Sequence, residues 1–128
     1  MVIDTSALIA ILFNEPEADR FDAAIAGASV RLISTVSVLE AGMVVESRYG
    51  ELGGIELDRL LQRARIEIVP FTVDQLDEAR RAFRRFGKGR HRAGLNFGDC
   101  AVYALSKLRG EKLLAKGDDF PHTDIGRF

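Results

Sequence analysis

Four short apolar runs punctuate the chain: "VI" at 2–3, "VRLIS" at 30–34, "IEIV" at 66–69 and "KLLA" at 112–115. Each has the length of a buried strand, and the stretches between them carry helical signals. Strands that alternate with helices pair in parallel, because the intervening helix returns the chain to the edge where the previous strand began. The pattern therefore predicts a layered α/β fold around a parallel sheet. At 128 residues the size suits one domain spanning 1–128, large enough to bury about two-thirds of its unfolded surface.

The helical segments have identifiable ends. "TSALIAILF" follows the first strand, and Pro16 is placed as the first helical position of "EPEADRFDAAIAG". "TVSVLEAGMVVESRYG" reads as a mostly buried helix ended by Gly50, with a shorter amphipathic helix from Leu57 to Ala64. Thr72 caps "VDQLDEARRAFRRF", whose apolar residues at 73, 76, 79, 83 and 86 repeat at the helical period. "GKGRHRAG" is a glycine-punctuated loop, and "NFGDCAVYALSKLRG" is a helix rich in apolar residues.

Composition excludes several classes. With 47% hydrophobic and 29% charged residues the chain is globular rather than disordered. The apolar start "MVIDTSALIAILF" carries Asp4, lacks a basic flank and is too short to span a membrane or serve as a signal, so a soluble, cytoplasmic protein with no membrane partner is expected. Cys100 is the single cysteine and reads as a buried helix residue rather than a nucleophile; with two histidines 31 positions apart, no zinc spacing exists.

The acids occupy unusual places. Asp4 closes the first strand and can cap the helix after it. Glu40 lies early in an apolar helix, where Ser37 to Glu40 matches a capping box, yet a helical wheel sets it between Val36 and Val44 on the Met43 side. Asp99 falls three residues after Asn96 and can complete a cap there. Asp118 and Asp119 follow Gly117 beyond the last strand, a position that also suits an Asx turn. Singly, each acid has a structural explanation. Jointly, they fall on one edge of a parallel sheet, the carboxyl ends of its strands, where ligands of open α/β sheets bind.

Carboxylates brought together there repel, by about 4 kcal/mol per pair at ~4 Å and an effective dielectric near 20. Protons or a cation must neutralise them. Oxygen ligands without His or Cys suit a hard ion that keeps its waters, Mg²⁺ or Mn²⁺, which can acidify a water and steady the leaving oxygen of an in-line displacement on a phosphodiester. The net charge of −1 conceals a matching basic block: seven of the 18 Lys and Arg residues lie between Arg80 and Arg92, with no acid from Ala79 to Gly98. Guanidinium groups suit phosphate oxygens, and Arg90 and Arg92, on the loop leading to Asp99, are the candidate substrate-binding cations. A solvated helix face is the alternative reading of residues 80–85.

Taken in order, "VIDTSALIAIL", "STVSVLEA", "GKGRHRAGLNFGDCAVYALSK" and "LLAKGDDFPHTDI" resemble the motifs of PIN-domain ribonucleases, specifically the VapC-type toxins of toxin–antitoxin pairs, across the whole chain. The resemblance implies a three-layer α/β/α sandwich with a central parallel sheet and a metal-dependent endoribonuclease. It implies catalytic acids at Asp4, Glu40 and Asp99, with Asp4 and Asp99 as Mg²⁺ ligands and Ser6 positioning a metal-bound water. For the fourth acid it offers Asp118, preferred because it follows the strand at once, or Asp119. It also implies an RNA substrate, a cognate antitoxin that covers the pocket, and a toxin homodimer. Two other readings stay open: phosphoryl transfer with Asp4 as nucleophile, although Ser6 stands where such phosphatases place a second Asp, and a non-catalytic RNA- or protein-binding module.

Overall fold

A computed structural model describes residues 1–128. Its elements run β1 (Val2–Ile3), α1 (Thr5–Leu12), α2 (Ala18–Gly27), β2 (Leu32–Ser34), α3 (Thr35–Tyr49), α4 (Glu51–Arg63), β3 (Glu67–Val69), α5 (Val73–Phe86), α6 (Phe97–Arg109) and β4 (Leu113–Leu114), with a 3₁₀ turn at Phe120–His122. The four strands form one sheet in the order β3-β2-β1-β4, and every pairing is parallel.

Side-chain alternation along the strands builds the layers. Val2, Leu32 and Leu113 point into one buried cluster, and their successors Ile3, Ile33 and Leu114 into a second. Residues of α5 and α6 fill the first cluster, and residues of α1 to α4 fill the second. The result is the three-layer α/β/α sandwich that the resemblance implies. The chain runs β1-β2-β3 in one direction and then returns past β1 to lay down β4. The strand order reverses between β1 and β4, the place at whose carboxyl ends ligands of open α/β sheets bind.

Several boundaries differ from the sequence reading. α2 starts at Ala18 rather than at Pro16, which lies in the turn before it, and Glu17 occupies the N-cap position. α3 is capped by Ser34, whose side chain accepts from the Val36 N–H, while Ser37 is buried inside the helix, so the capping box assigned to Ser37 and Glu40 does not form. Nor is α3 mostly buried: it packs through the narrow stripe Ser37, Ala41 and Val45, leaving Leu39 66% and Met43 63% exposed. α4 begins at Glu51, a turn and a half ahead of the Leu57 start, because Gly53 and Gly54 sit within the helix. The expected caps at Asp4, Thr72 and Asn96 are all present.

Candidate active site

The carboxyl edge of the sheet gathers the acids. Asp4 leaves β1 and caps α1 in extended backbone geometry; the Ser6 N–H donates to its Oδ2 at 3.0 Å and the Ser6 hydroxyl donates to the same atom at 2.5 Å. Ser6 Oγ in turn accepts the Lys116 backbone N–H at 2.9 Å, which ties the loop after β4 to the start of α1. Lys116 extends its ammonium to Glu15 (3.2 Å) and Glu17 (3.3 Å), anchoring that loop from the other side. Asp4 is buried, and burial is the main reason its carboxyl stands above the usual range; Glu40 nearby raises it further, against the opposing Ser6 hydrogen bonds.

Asp99 reaches the same place from α6. Asn96 and Asp99 form a reciprocal capping box, with Asp99 N–H to Asn96 Oδ1 at 2.9 Å and Asn96 N–H to Asp99 Oδ2 at 3.1 Å. The expected cap therefore forms, at a residue that also feels the charge of Asp4. Partial burial, the charge of Asp4 and a hydrogen bond with Asp119 push the Asp99 carboxyl up to about 7, although the Asn96 N–H pulls the other way. Of the two adjacent acids after β4, it is Asp119 whose carboxyl acts on Asp99. Positive φ at Gly117 and the 3₁₀ turn at Phe120–His122 shape the segment that carries both.

Glu40 comes from α3 and is solvent-exposed, yet it lies against α6: a methyl group built on Gly98 would stand 2.9 Å from Glu40 Oε2. Gly98 thus lets this carboxylate approach the helix that carries Asp99. Arg90 and Arg92 are exposed on the 87–94 loop, which Leu95 closes by pairing with Phe86 and Lys88, and Arg90 lies over the Phe83 ring at 5.3 Å. Cys100, beside Asp99, has its thiol pushed up to about 11, chiefly by burial and then by the Asp99 charge, so it is no nucleophile.

The acids fit a divalent ion on their own electrostatics. Burial and mutual repulsion raise the carboxyls of Asp4 and Asp99, so that a nearby cation would favour their charged forms. The donors are all oxygen. No three acid, His or Cys side chains enclose a common point as a formed cage. Asp4 and Asp99, two oxygen donors, would leave the rest of the coordination of a hard ion to water, as such ions accept.

The sequence reading missed two participants, Lys116 and Gly98. A lysine after a strand and a glycine in a first helical turn carry no signal until the loop and α3 are seen beside them.

Known proteins extend this picture. The model of the PIN domain family matches residues 1–126. The chain is 58% identical to VapC ribonuclease Mb0640 of Mycobacterium bovis and to ribonuclease VapC30 of Mycobacterium tuberculosis, in each case over 98% of this chain and 95% of the relative. It is 57% identical to ribonuclease VapC of Mycolicibacterium smegmatis, covering 98% of this chain and 97% of that one. In fold it is similar to Mycobacterium tuberculosis VapC20, described as a sarcin-ricin-loop-cleaving toxin (TM-score 0.81, 17% identity, 99% of this chain and 97% of that one). It also resembles a chain of VapBC2 from Rickettsia felis bound to a promoter DNA fragment (TM-score 0.77, 15% identity, 98% and 94% covered). A chain matched almost end to end by the family model, and more than half identical to such relatives, belongs to the PIN-domain family as a VapC-type member.

Proposed function

We propose that this protein is an endoribonuclease toxin that hydrolyses RNA phosphodiester bonds with the help of Mg²⁺ or Mn²⁺. The reading rests on the approach of Asp4 and Asp119 to Asp99 at the carboxyl end of β1, in a chain of VapC type. Asp4 and Asp99 are the residues that hold the ion. When bound, the ion makes a water more acidic and offsets charge on the leaving oxygen. Ser6 fixes the orientation of Asp4 through its paired N–H and O–H donors. Asp119 and Glu40 flank the pair, oriented to accept a proton from a water or to steady one by hydrogen bonding. Arg90 and Arg92 guide the RNA backbone across the loop toward the crevice. No covalent enzyme nucleophile takes part.

The VapBC neighbours favour a cognate antitoxin that covers the crevice, and the same reading carries a toxin homodimer and a cytoplasmic setting. No helix is long and apolar enough to cross a membrane. Purified protein is expected to cleave RNA with Mg²⁺ or Mn²⁺ and to stop with EDTA. Asp99→Asn should lose more than ~100-fold of the rate, beyond the usual cost of supporting residues around a metal, with its far-UV spectrum unchanged. Sequencing RNA 5′ ends after brief expression of wild type and of Asp4→Ala identifies the cut site. EDTA-insensitive cleavage, or full activity of Asp99→Asn, overturns the reading.

A further inference from the structure

Next to the acids lies an apolar groove that their chemistry does not use. Leu76, Arg80 and Phe83 fall on one face of α5, Phe97 and Cys100 on the facing side of α6, and Phe71 closes one end; the cavity measures 560 Å³. That volume is within the range of small-ligand clefts, about 300–1,000 Å³. Phe97 is 84% exposed, although it stands at the first helical position of the most deeply buried helix and two residues before Asp99. Such a residue stabilises the fold little where it is. Arg80 and Arg84 line the groove, and neither they nor Lys88, Arg90 and Arg92 make an ion pair; within the basic block only Arg81 and Arg85 do.

Exposed rings beside unpaired guanidinium groups are what single-stranded nucleic acid requires: aromatic faces for bases and cations for the phosphates between them.

Resting on the ribonuclease reading, we propose that the α5–α6 groove is a nucleobase subsite. It takes one unstacked base of the RNA substrate against Phe97, adjacent to the phosphate that enters the acid crevice, with Arg80 and Arg84 on the flanking phosphates. The groove then sets which nucleotide stands beside the cut.

The test is run in EDTA, so that nothing is cleaved. The full-length chain is titrated with short single-stranded RNAs carrying 2-aminopurine at successive positions, and with a matched series carrying one abasic nucleotide. The wild type should quench 2-aminopurine at one position. Phe97→Ala should bind about 5- to 150-fold more weakly, the span that ~1–3 kcal/mol per stacked base converts to. Phe97→Tyr should restore binding, and the variants should bind alike once the abasic nucleotide occupies that position. Melting and light scattering confirm that fold and subunit number are unchanged, as the exposure of Phe97 allows. Affinity within about twofold of wild type for Phe97→Ala overturns the proposal. So does weaker binding that accompanies a change in subunit number, which would assign the groove to a protein partner. Cleavage in Mg²⁺ is read separately. An active protein with Phe97-independent binding removes only the base subsite, and an inactive one with Phe97-dependent quenching removes only the nuclease.

Discussion

Gly98 shows how much of the site depends on a missing side chain. Its absent Cβ leaves room for Glu40 Oε2, which a methyl would approach to 2.9 Å. Because Glu40 ends a flexible chain, Gly98→Ala can fold by displacing the carboxylate, and alanine in place of glycine favours the helix by about 1 kcal/mol. Melting temperature should therefore hold or rise slightly, while metal-dependent cleavage falls on the order of 10- to 100-fold, as misplacement of a site group by about 1 Å does. Loss of stability with unchanged turnover would sink this account of Gly98. Against this background, the legibility of the acids in the sequence has a physical limit. Asp4, Glu40 and Asp99 could be found because strand ends and first helical turns share one sheet edge, a property of topology. Which of Asp118 and Asp119 comes near Asp99 could not, because the path of that segment includes a φ of +105° at Gly117 and a single 3₁₀ turn, which residue type alone does not encode.

At the scale of elements, the helix pair α3–α4 is held by the approach of Gly53 to α3. A Cβ at Gly53 would lie 2.4 Å from the Val45 carbonyl oxygen, and backbone cannot swing aside. At Gly54 the obstacle is the Glu46 carboxylate at 3.1 Å, which can. Gly53→Ala should thus cost about 1–3 kcal/mol, the range for overpacking, whereas Gly54→Ala should be neutral or gain up to about 1 kcal/mol of helix propensity. Urea midpoints of the two variants at constant m-value measure the difference; equal midpoints would mean that the helices can separate. The same pair explains what the sequence concealed. The expected helix from Leu57 leaves out Gly53 and Gly54, which between closely packed helices permit contact rather than break the helix. α3, expected to be mostly buried, sets only about one residue per turn, Ser37, Ala41 and Val45, fully into the core. By contrast α5 and α6 were legible from their caps at Thr72 and Asn96, although the apolar period of α5 includes Val73, Leu76 and Phe83, which are exposed, while Gln75, Ala79, Ala82 and Phe86 face the core.

Across the whole molecule, charge is sorted by position, and two solution dependences follow. The tail after β4 is moored by Asp124, which accepts from Tyr103 Oη at 2.6 Å and Lys107 Nζ at 2.9 Å, with Arg85 at 3.6 Å. Burial alone would raise the Asp124 carboxyl, but these donors outweigh it and hold it below its ordinary value of 3.8. A carboxyl lowered in the folded state contributes stability that is present above the unfolded value and lost as pH falls through the folded one. Screening limits this to about 1 kcal/mol, a few degrees of melting temperature. Asp124→Asn should melt lower than wild type at pH 6, and the gap should close below pH 4; a gap that widens in acid would contradict the assignment. The second dependence concerns salt. A net charge of −1 suggests little affinity for RNA, yet Arg80, Arg84, Lys88, Arg90 and Arg92 make no ion pair, while the acids that balance the sum lie elsewhere. If three to five of these cations each neutralise a phosphate, the single-strand slope of about −0.7 per contact gives roughly a 20- to 130-fold loss of affinity between 50 and 200 mM salt. Removing Arg90 and Arg92 together should lower the slope by about 1.4, whereas Arg81→Ala, which removes a cation already paired with Glu78, should leave it unchanged. Equal slopes for all three proteins would mean that the phosphates are neutralised elsewhere, and the path of the RNA would have to be drawn over another face.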